Sequence, residues 1–121
     1  MRAEVRAVIS SDFDETTWKP AEPDNFRFWI QILVGPEGHD RFEAEVCTPK
    51  WLLSNHDTDD VIIGWAKIIV FEYDWDRIER RIGEFVRAQT GDDWNAIALR
   101  VDRIGLWEFD PDSFPVSGPT Q

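Results

Sequence analysis

The sequence predicts an α+β fold: an antiparallel sheet of about four to five strands with helices packed on one face. Two observations support this prediction. Apolar and polar residues alternate with the period of strands in the first half of the chain. From Asp74 onward the period changes to that of amphipathic helices. Residues 1–110 are expected to form one domain, and residues 111–121, with Pro111, Pro115 and Pro119, a flexible tail.

Three strands are predicted before the first helix. They cover residues 3–9, 26–34 and 41–48, and a Gly- and Pro-containing turn at residues 35–40 joins the last two as a hairpin. Residues 10–25 show no helical period and are expected to form a long acidic loop. In the third strand the alternation predicts two different faces. One face is buried, and the other is exposed to solvent or covered by polar groups. Phe42, Ala44 and Val46 lie on one face, and Glu43, Glu45 and Cys47 on the other.

A short helix is predicted directly after the third strand. Thr48 can cap its first turn, and Pro49 fits the first helical position because the amide it lacks would be unpaired there. Residues 61–71 are then predicted to form a buried strand, since the segment is mostly apolar.

Two longer helices are predicted after residue 74, and the short connection between them implies an antiparallel pair. The first is expected to be capped by Asp76 with Glu79 and to end at Gly91. The second is expected to be capped by Asp92 and to end at Gly105. Their apolar stripes are Ile78, Ile82, Phe85 and Val86 in the first, and Trp94, Ile97, Ala98, Val101 and Ile104 in the second.

The charge of the chain limits its partners. Twenty-four acidic residues oppose thirteen Lys and Arg, for a formal net charge of −11. Nucleic acids and anionic membranes are bound through clustered Lys and Arg, so direct contact with either is not expected. A cationic partner remains open: a metal ion, a basic peptide, or a protein whose surface holds phosphates. The alternative is that the charge serves solubility alone.

Cysteine content and hydropathy favour a cytoplasmic location. Cys47 is the only cysteine, so no internal disulfide can form, as is usual in reducing compartments. The first residues contain no apolar signal-peptide core, and no apolar run approaches membrane-spanning length.

No catalytic residue or cofactor is predicted. His39 lies in the turn at residues 35–40, where a solvated side chain is the usual case, and Cys47 has no neighbouring histidine. No nucleophile or phosphate-loop motif is present. His56 stands close to Asp57, Asp59 and Asp60, which leaves a divalent-metal site as an alternative to a solvated acidic loop.

Three acidic segments are the candidate binding residues. The last of them combines carboxylates with aromatics, a composition that suits a protein interface, although Asp74 and Asp76 can also serve as helix caps. The candidates are Asp12, Asp14, Glu15 and Trp18 in the first segment, Asp57, Asp59 and Asp60 in the second, and Glu72, Asp74, Trp75 and Asp76 in the third.

Several segments together resemble a known family. An aromatic strand follows Pro23-Asp24-Asn25, a Gly-Pro turn comes at residues 35–36, and Val46 to Leu52 reads Val-Cys-Thr-Pro-Lys-Trp-Leu. An apolar strand at residues 62–71, Tyr73-Asp74, Trp94, Gly105 and Trp107-Glu108-Phe109 complete the pattern. Over about residues 1–110 the chain resembles the immunity protein 8 family of bacterial polymorphic toxin systems.

The resemblance implies an antidote that binds and silences a toxin encoded beside it, and it implies an α+β fold without a catalytic residue. The motif residues Thr48, Pro49, Trp51 and Leu52 are then structural: a cap, a first turn and core anchors. Immunity proteins differ most where they contact their toxins, so the acidic segments are the expected contacts.

The functional hypothesis is an immunity protein that occludes the basic active cleft of a cognate toxin, and nucleases are one toxin class with such a cleft. Carboxylates would steer association, and Trp18 or Trp75 would anchor the complex. No membrane or nucleic-acid partner is expected, and the protein is expected to be a monomer or a weak homodimer. The alternatives are a small metal-dependent enzyme built around His56, and a non-catalytic adaptor subunit that adds a strand to a partner's sheet.

Overall fold

The structure is a computed structural model that describes residues 2–35, 40–56 and 61–109. These ranges contain five strands and three helices, which confirms the predicted α+β class. The strands are β1 (Glu4–Ser10), β2 (Arg27–Gly35), β3 (Asp40–Cys47), β4 (Lys67–Ile69) and β5 (Leu106–Trp107). The helices are α1 (Pro49–Asn55), α2 (Trp75–Arg87) and α3 (Trp94–Val101).

The strands form one mixed sheet in the order β1-β2-β3-β4, and β5 pairs with β3 as well. The β1–β2, β2–β3 and β3–β5 pairs are antiparallel, in agreement with the predicted antiparallel sheet, and Ile32 lies opposite both Val8 and Phe42. The β3–β4 pair is parallel, with Val46 opposite Ile68, so the prediction of a wholly antiparallel sheet was wrong at this pair. The reason is the crossover through α1, which carries the chain back so that β4 runs in the direction of β3.

The predicted strand at residues 61–71 was also wrong in its length. Only Lys67–Ile69 pair with β3, whereas residues 61–64 are exposed and have no strand structure. Extending the parallel register backwards would place Gly64 beside Phe42 and Trp65 beside Glu43, but β5 already pairs with both of these β3 residues. Competition for one edge of β3 therefore limits β4 to three residues.

The hydrophobic core lies on one face of the sheet, between the strands and helices α2 and α3. The predicted division of β3 is confirmed, since Phe42, Ala44 and Val46 are buried in this core. Both helices contribute to it through Ile78, Ile82, Val86, Ile97, Ala98 and Val101. Phe85, which was predicted in the same stripe, is half-buried.

The opposite face of the sheet is covered by polar groups, as the alternation predicted. The buried carboxylate of Glu45 forms ion pairs with Lys67 and with Arg27, whose Nε lies 3.1 Å away. The Arg27 guanidinium also lies over the ring of Trp51, 5.0 Å from its centre. A buried charge is tolerable here because it has two cationic partners.

The helix termini differ from the predicted caps at α2 and α3. Thr48 caps α1, as predicted, but Asp74 rather than Asp76 caps α2, and Asp93 rather than Asp92 caps α3. In both corrected cases the cap carboxylate accepts the amide N–H three residues later, which fixes where the helix starts. Both helices also end earlier than predicted, at Arg87 and Val101.

Candidate protein-binding surface

Two of the three predicted acidic segments lie side by side in the structure. The loop between β1 and β2 meets the segment before α2, where the Tyr73 amide N–H donates to the Pro23 carbonyl at 2.7 Å. The Trp18 and Tyr73 rings also pack edge to face, with their centres 5.0 Å apart. We call the combined carboxylates the acidic surface: Asp12, Asp14, Glu15, Glu22, Asp24, Glu72, Asp74 and Asp76.

An aromatic cluster beneath the acidic surface holds the loop in place. Trp18 stacks on Phe13, with ring centres 4.1 Å apart, and contacts Phe28 of β2 edge to face at 5.8 Å. Trp75 packs on Phe28 from the start of α2. Trp18 and Trp75 are therefore half-buried against the core of their own fold. Their proposed contact with a partner stays a prediction.

The loop carboxylates have different local roles. The Asp12 carboxylate accepts the Trp29 amide N–H at 2.9 Å and so ties the loop to β2. Asp14 accepts from both the hydroxyl and the amide of Thr16, and these hydrogen bonds lower the pKa of Asp14. The pKa of Glu22 is lowered by its hydrogen bond to Lys50, which lies 3.1 Å away. Asp14 and Glu22 therefore remain ionised to lower pH than isolated carboxylates.

The segment that precedes α2 presents its carboxylates differently. Asp74 caps the helix, and its second oxygen lies 3.8 Å from Arg77. Asp76 lies in the first turn, where the helix dipole favours a negative charge. Glu72 and Asp76 are exposed and form no ion pair with any residue that the structure describes. Their charges are therefore available to a cationic partner.

Tyr73 lies between the two acidic segments with its hydroxyl buried. The hydroxyl has no hydrogen-bond partner within the described residues. Burial raises the pKa of Tyr73, and the negative charge of Glu15 raises it further. The phenol is thus held neutral beneath an acidic surface.

A cleft of about 710 Å³ adjoins the acidic surface. Its apolar lining comes from β4, the chain that follows β4, helix α2 and Ile104. Asp24, Glu72 and Asp74 of the acidic surface line it as well, together with Arg77 and Arg81. The apolar lining residues are Ile68, Ile69, Val70, Phe71, Ile78, Ile82, Phe85 and Ile104. Sequence reasoning missed this cleft, because its walls come together only through the pairing of β4 with β3.

The comparison with known families shows which family this chain belongs to. The chain matches the family described as immunity protein 8 over residues 3–111, a range that includes the acidic surface and the cleft. The chain belongs to the immunity protein 8 family. It is therefore an immunity protein of a toxin system, and the resemblance seen in the sequence is confirmed. Comparisons with curated proteins and with solved structures each gave no match.

The motif residues of this immunity protein lie where β3 passes into α1. Thr48 is fully buried, and its hydroxyl oxygen accepts the amide N–H groups of Trp51 at 3.1 Å and Phe26 at 3.3 Å. Pro49 occupies the first turn, and Leu52 is half-buried. The motif thus joins the start of β2 to the first helix.

The second acidic segment of the immunity protein, with Asp57, Asp59 and Asp60, lies outside the described residues. His56 is described and half-buried. Across residues 2–35, 40–56 and 61–109, no group of three or more His, Cys, Asp and Glu residues is placed to hold a metal ion. Within the same ranges, no helix combines the length and apolarity needed to cross a membrane.

Proposed function

We propose that this immunity protein neutralises its cognate toxin by placing the acidic surface and the adjoining cleft against a basic active cleft of the toxin domain. The observation that supports this proposal is the joining of two acidic segments, distant in sequence, beside an apolar cleft. A nuclease is the toxin class that fits best, because an enzyme that holds phosphates has a basic cleft. The protein acts by binding, without catalysis, in the cytoplasm and as a monomer or weak homodimer.

The charge of the acidic surface supports fast association. Opposite charges raise association rates from about 10⁵–10⁶ to about 10⁸–10⁹ M⁻¹s⁻¹ at low salt. Exposed charges are screened beyond about 8 Å at physiological ionic strength, so this advantage decreases as salt is added. Glu72 and Asp76 suit the role because no described cation neutralises them.

The cleft supports slow dissociation. Ile69 and Phe71 are large apolar residues that remain exposed at its wall. Buried apolar contacts at the centre of an interface set the dissociation rate more than rim charges do. The two parts of the surface are therefore assigned to separate kinetic steps.

The first experiment tests the function itself. The immunity protein is co-expressed with the toxin domain encoded by the adjacent gene, and we expect a stable complex and restored growth of cells that make the toxin. If that domain forms no complex with the immunity protein and cells that make it are not protected, the proposal is contradicted. A toxin gene beside this chain also separates an immunity protein from an adaptor subunit.

The second experiment tests the acidic surface. In the triple variant Glu22→Gln, Glu72→Gln and Asp76→Asn, we expect association with the toxin domain to slow by about tenfold at low salt. The matched control removes the same charge elsewhere, through Glu4→Gln, Glu43→Gln and Asp92→Asn. Equal slowing in both variants would show that only net charge matters and would remove the acidic surface from the interface.

The segment outside the described residues is tested in the same assay. Replacing Asp57, Asp59 and Asp60 together by Asn is expected to slow association at low salt without unfolding the protein. Unchanged kinetics across a salt series would exclude this segment from the contact. Calorimetric titration with Zn²⁺, Mn²⁺ and Ca²⁺ tests the metal alternative at His56, and we expect no heat of binding.

A further inference from the structure

Strand β4 lies at the edge of the sheet formed by the described residues. Within the described part of the chain it pairs only with β3. The Glu45 amide donates to the Ala66 carbonyl at 2.9 Å, and the Val70 amide donates to the Cys47 carbonyl at 3.0 Å. In a parallel ladder, alternate residues face the neighbouring strand. The main-chain groups of Lys67 and Ile69 therefore point away from β3.

Strand β4 is short and begins with Lys67, two features that limit pairing at a sheet edge, but its other residues are apolar. Exposed edge strands are commonly blocked by proline, by a bulge or by a covering helix, because open N–H and C=O groups pair with other chains. Residues 67–71 read Lys-Ile-Ile-Val-Phe and contain no proline. Ile69 is 52% exposed and Phe71 is 76% exposed. An apolar edge of this kind suits a chain that completes it with a partner.

The cleft lies beside this edge, and its helical wall is about as long as a short extended peptide. Ile69 of the edge strand lines the cleft together with residues between Asp74, the cap of α2, and Phe85. Those eleven helical steps cover about 16 Å at about 1.5 Å per residue. Five residues of an extended chain, at about 3.3 Å each, have the same length.

The charges in the cleft define what kind of segment fits. Asp24, Glu72 and Asp74 line it near the start of α2, and Glu72 forms no ion pair with a described residue. The two arginines of the lining already have carboxylate partners: Arg77 lies 3.8 Å from Asp74, and Arg81 lies 3.2 Å from Glu84. The unmatched charge in the cleft is therefore negative.

We propose that the cleft binds an extended segment of the toxin, which pairs with β4 as an additional strand. The segment carries apolar side chains over Ile69 and Phe71 and a Lys or Arg that meets Glu72. Main-chain hydrogen bonds to Lys67 and Ile69 supply affinity, and side chains in the cleft supply specificity. This inference rests on the proposed function, since it assumes that the toxin is the partner.

Amide hydrogen exchange of the complex with the adjacent gene's toxin domain tests the pairing directly. We expect the Lys67 and Ile69 amides to exchange quickly in the isolated protein and to slow by at least about tenfold in the complex. The Val70 amide, which is bonded to Cys47, is the internal control and should be protected in both states. If Lys67 and Ile69 remain fast in a complex that protects the acidic surface, strand addition is wrong and the proposed function stands.

A proline at the edge gives the matching test by mutation. Ile69→Pro removes an amide that faces away from β3 and blocks strand addition, so we expect toxin affinity to fall by about tenfold or more. Ile69→Thr keeps the amide and the strand preference but loses part of the apolar side chain, so we expect it to bind more weakly than wild type and at least about threefold more tightly than Ile69→Pro. Equal affinities for the two variants would contradict the pairing, provided that circular dichroism shows both folded.

Other occupants of the edge give different results. A second copy of this chain, or its own residues 110–121, would protect the Lys67 and Ile69 amides before any toxin is added. Concentration-dependent protection would indicate the second copy, and protection lost on truncation after Phe109 would indicate the C-terminal segment. Either outcome would overturn the proposal. If the toxin domain does not bind the immunity protein at all, the strand-addition proposal and the proposed function both fail.

Discussion

At the scale of single residues, a few buried or half-buried polar groups hold this small fold together. The Asp40 carboxylate accepts the indole N–H groups of both Trp94 and Trp107, at 2.6 and 3.0 Å. One side chain thereby connects β3 with α3 and β5. Asp102 is buried after α3, and its carboxylate accepts the Trp107 amide N–H at 2.7 Å. Each of these bonds joins residues that no sequence pattern relates.

Thr48 gives the first prediction at this scale. Replacing it by Val keeps the shape but leaves the amides of Phe26 and Trp51 without their shared acceptor. Because the Phe26 amide is buried, we expect the free energy of unfolding to fall by about 2 kcal/mol in urea denaturation. Thr48→Ser retains the oxygen and should cost less than about 1 kcal/mol. A Val variant as stable as the Ser variant would contradict the role of the hydroxyl.

The second prediction at this scale concerns Tyr73, whose titration can be observed separately because it is the only tyrosine in the chain. Burial, and secondarily Glu15, raises its pKa above the ordinary value of 10.0. The neutral phenol is therefore favoured by folding, and its contribution to stability is complete below pH 10 and is lost as the pH rises through the higher native pKa. Absorbance titration of the phenolate should show a native midpoint above 10.0 that returns towards this value in urea. A native midpoint at or below the urea value would contradict the burial.

At the scale of elements, β3 determines what its neighbours become. Its edge is shared by β4 and β5, so the apolar run at residues 61–71 forms only a short strand. The composition of that run predicts a longer strand, because hydropathy reports the tendency to be buried and not the availability of a partner. Helix caps show the same limit of sequence patterns, since Asp74 and Asp76 are both suitable cap residues. The hydrogen bond between Tyr73 and Pro23 helps to fix the chain at the point where α2 begins.

The loop between β1 and β2 gives the prediction at this scale. Trp18 holds it against Phe13, Phe28 and Tyr73. We expect Trp18→Ala to lower the free energy of unfolding by about 2–3 kcal/mol, less than for a fully buried tryptophan because the ring is half-exposed.

The Trp18 amide, which donates to the Asp14 carbonyl at 2.9 Å, should be compared by hydrogen exchange in wild type and in Trp18→Phe. The phenylalanine keeps a ring in the cluster and should preserve most of the protection. If Trp18→Ala is as stable as wild type but binds the toxin domain more weakly, the tryptophan is a partner anchor and not a loop anchor.

At the scale of the whole molecule, the charge of −11 is unevenly distributed. The region from Arg77 to Arg103 contains six arginines, while the loop at residues 10–25 has five carboxylates and one lysine. The fold places this loop beside Glu72, Asp74 and Asp76. Repulsion among these groups is therefore local, and a basic partner would relieve it.

Salt dependence tests this repulsion. We expect added NaCl to stabilise the isolated protein by about 1 kcal/mol, because screening weakens the repulsion more than it weakens exposed ion pairs. KCl at the same ionic strength should act equally, since the effect is one of screening. Lower stability in salt would mean that ion pairs outweigh repulsion. An additional gain with Zn²⁺ or Mn²⁺ would instead indicate a metal site.

The sequence alone determined the fold class, the three long strands, the Thr48 cap and the family of this protein. These features depend on short-range patterns, namely alternation, helical period and a contiguous motif, which a linear chain displays directly. The tertiary structure decided the parallel direction and short length of β4, the joining of residues 12–24 with residues 72–76, and the cleft beside them. Each of these depends on which segments compete for one strand edge or share one aromatic cluster. Such contacts between distant residues are set by packing, so they leave no periodic signal in the sequence.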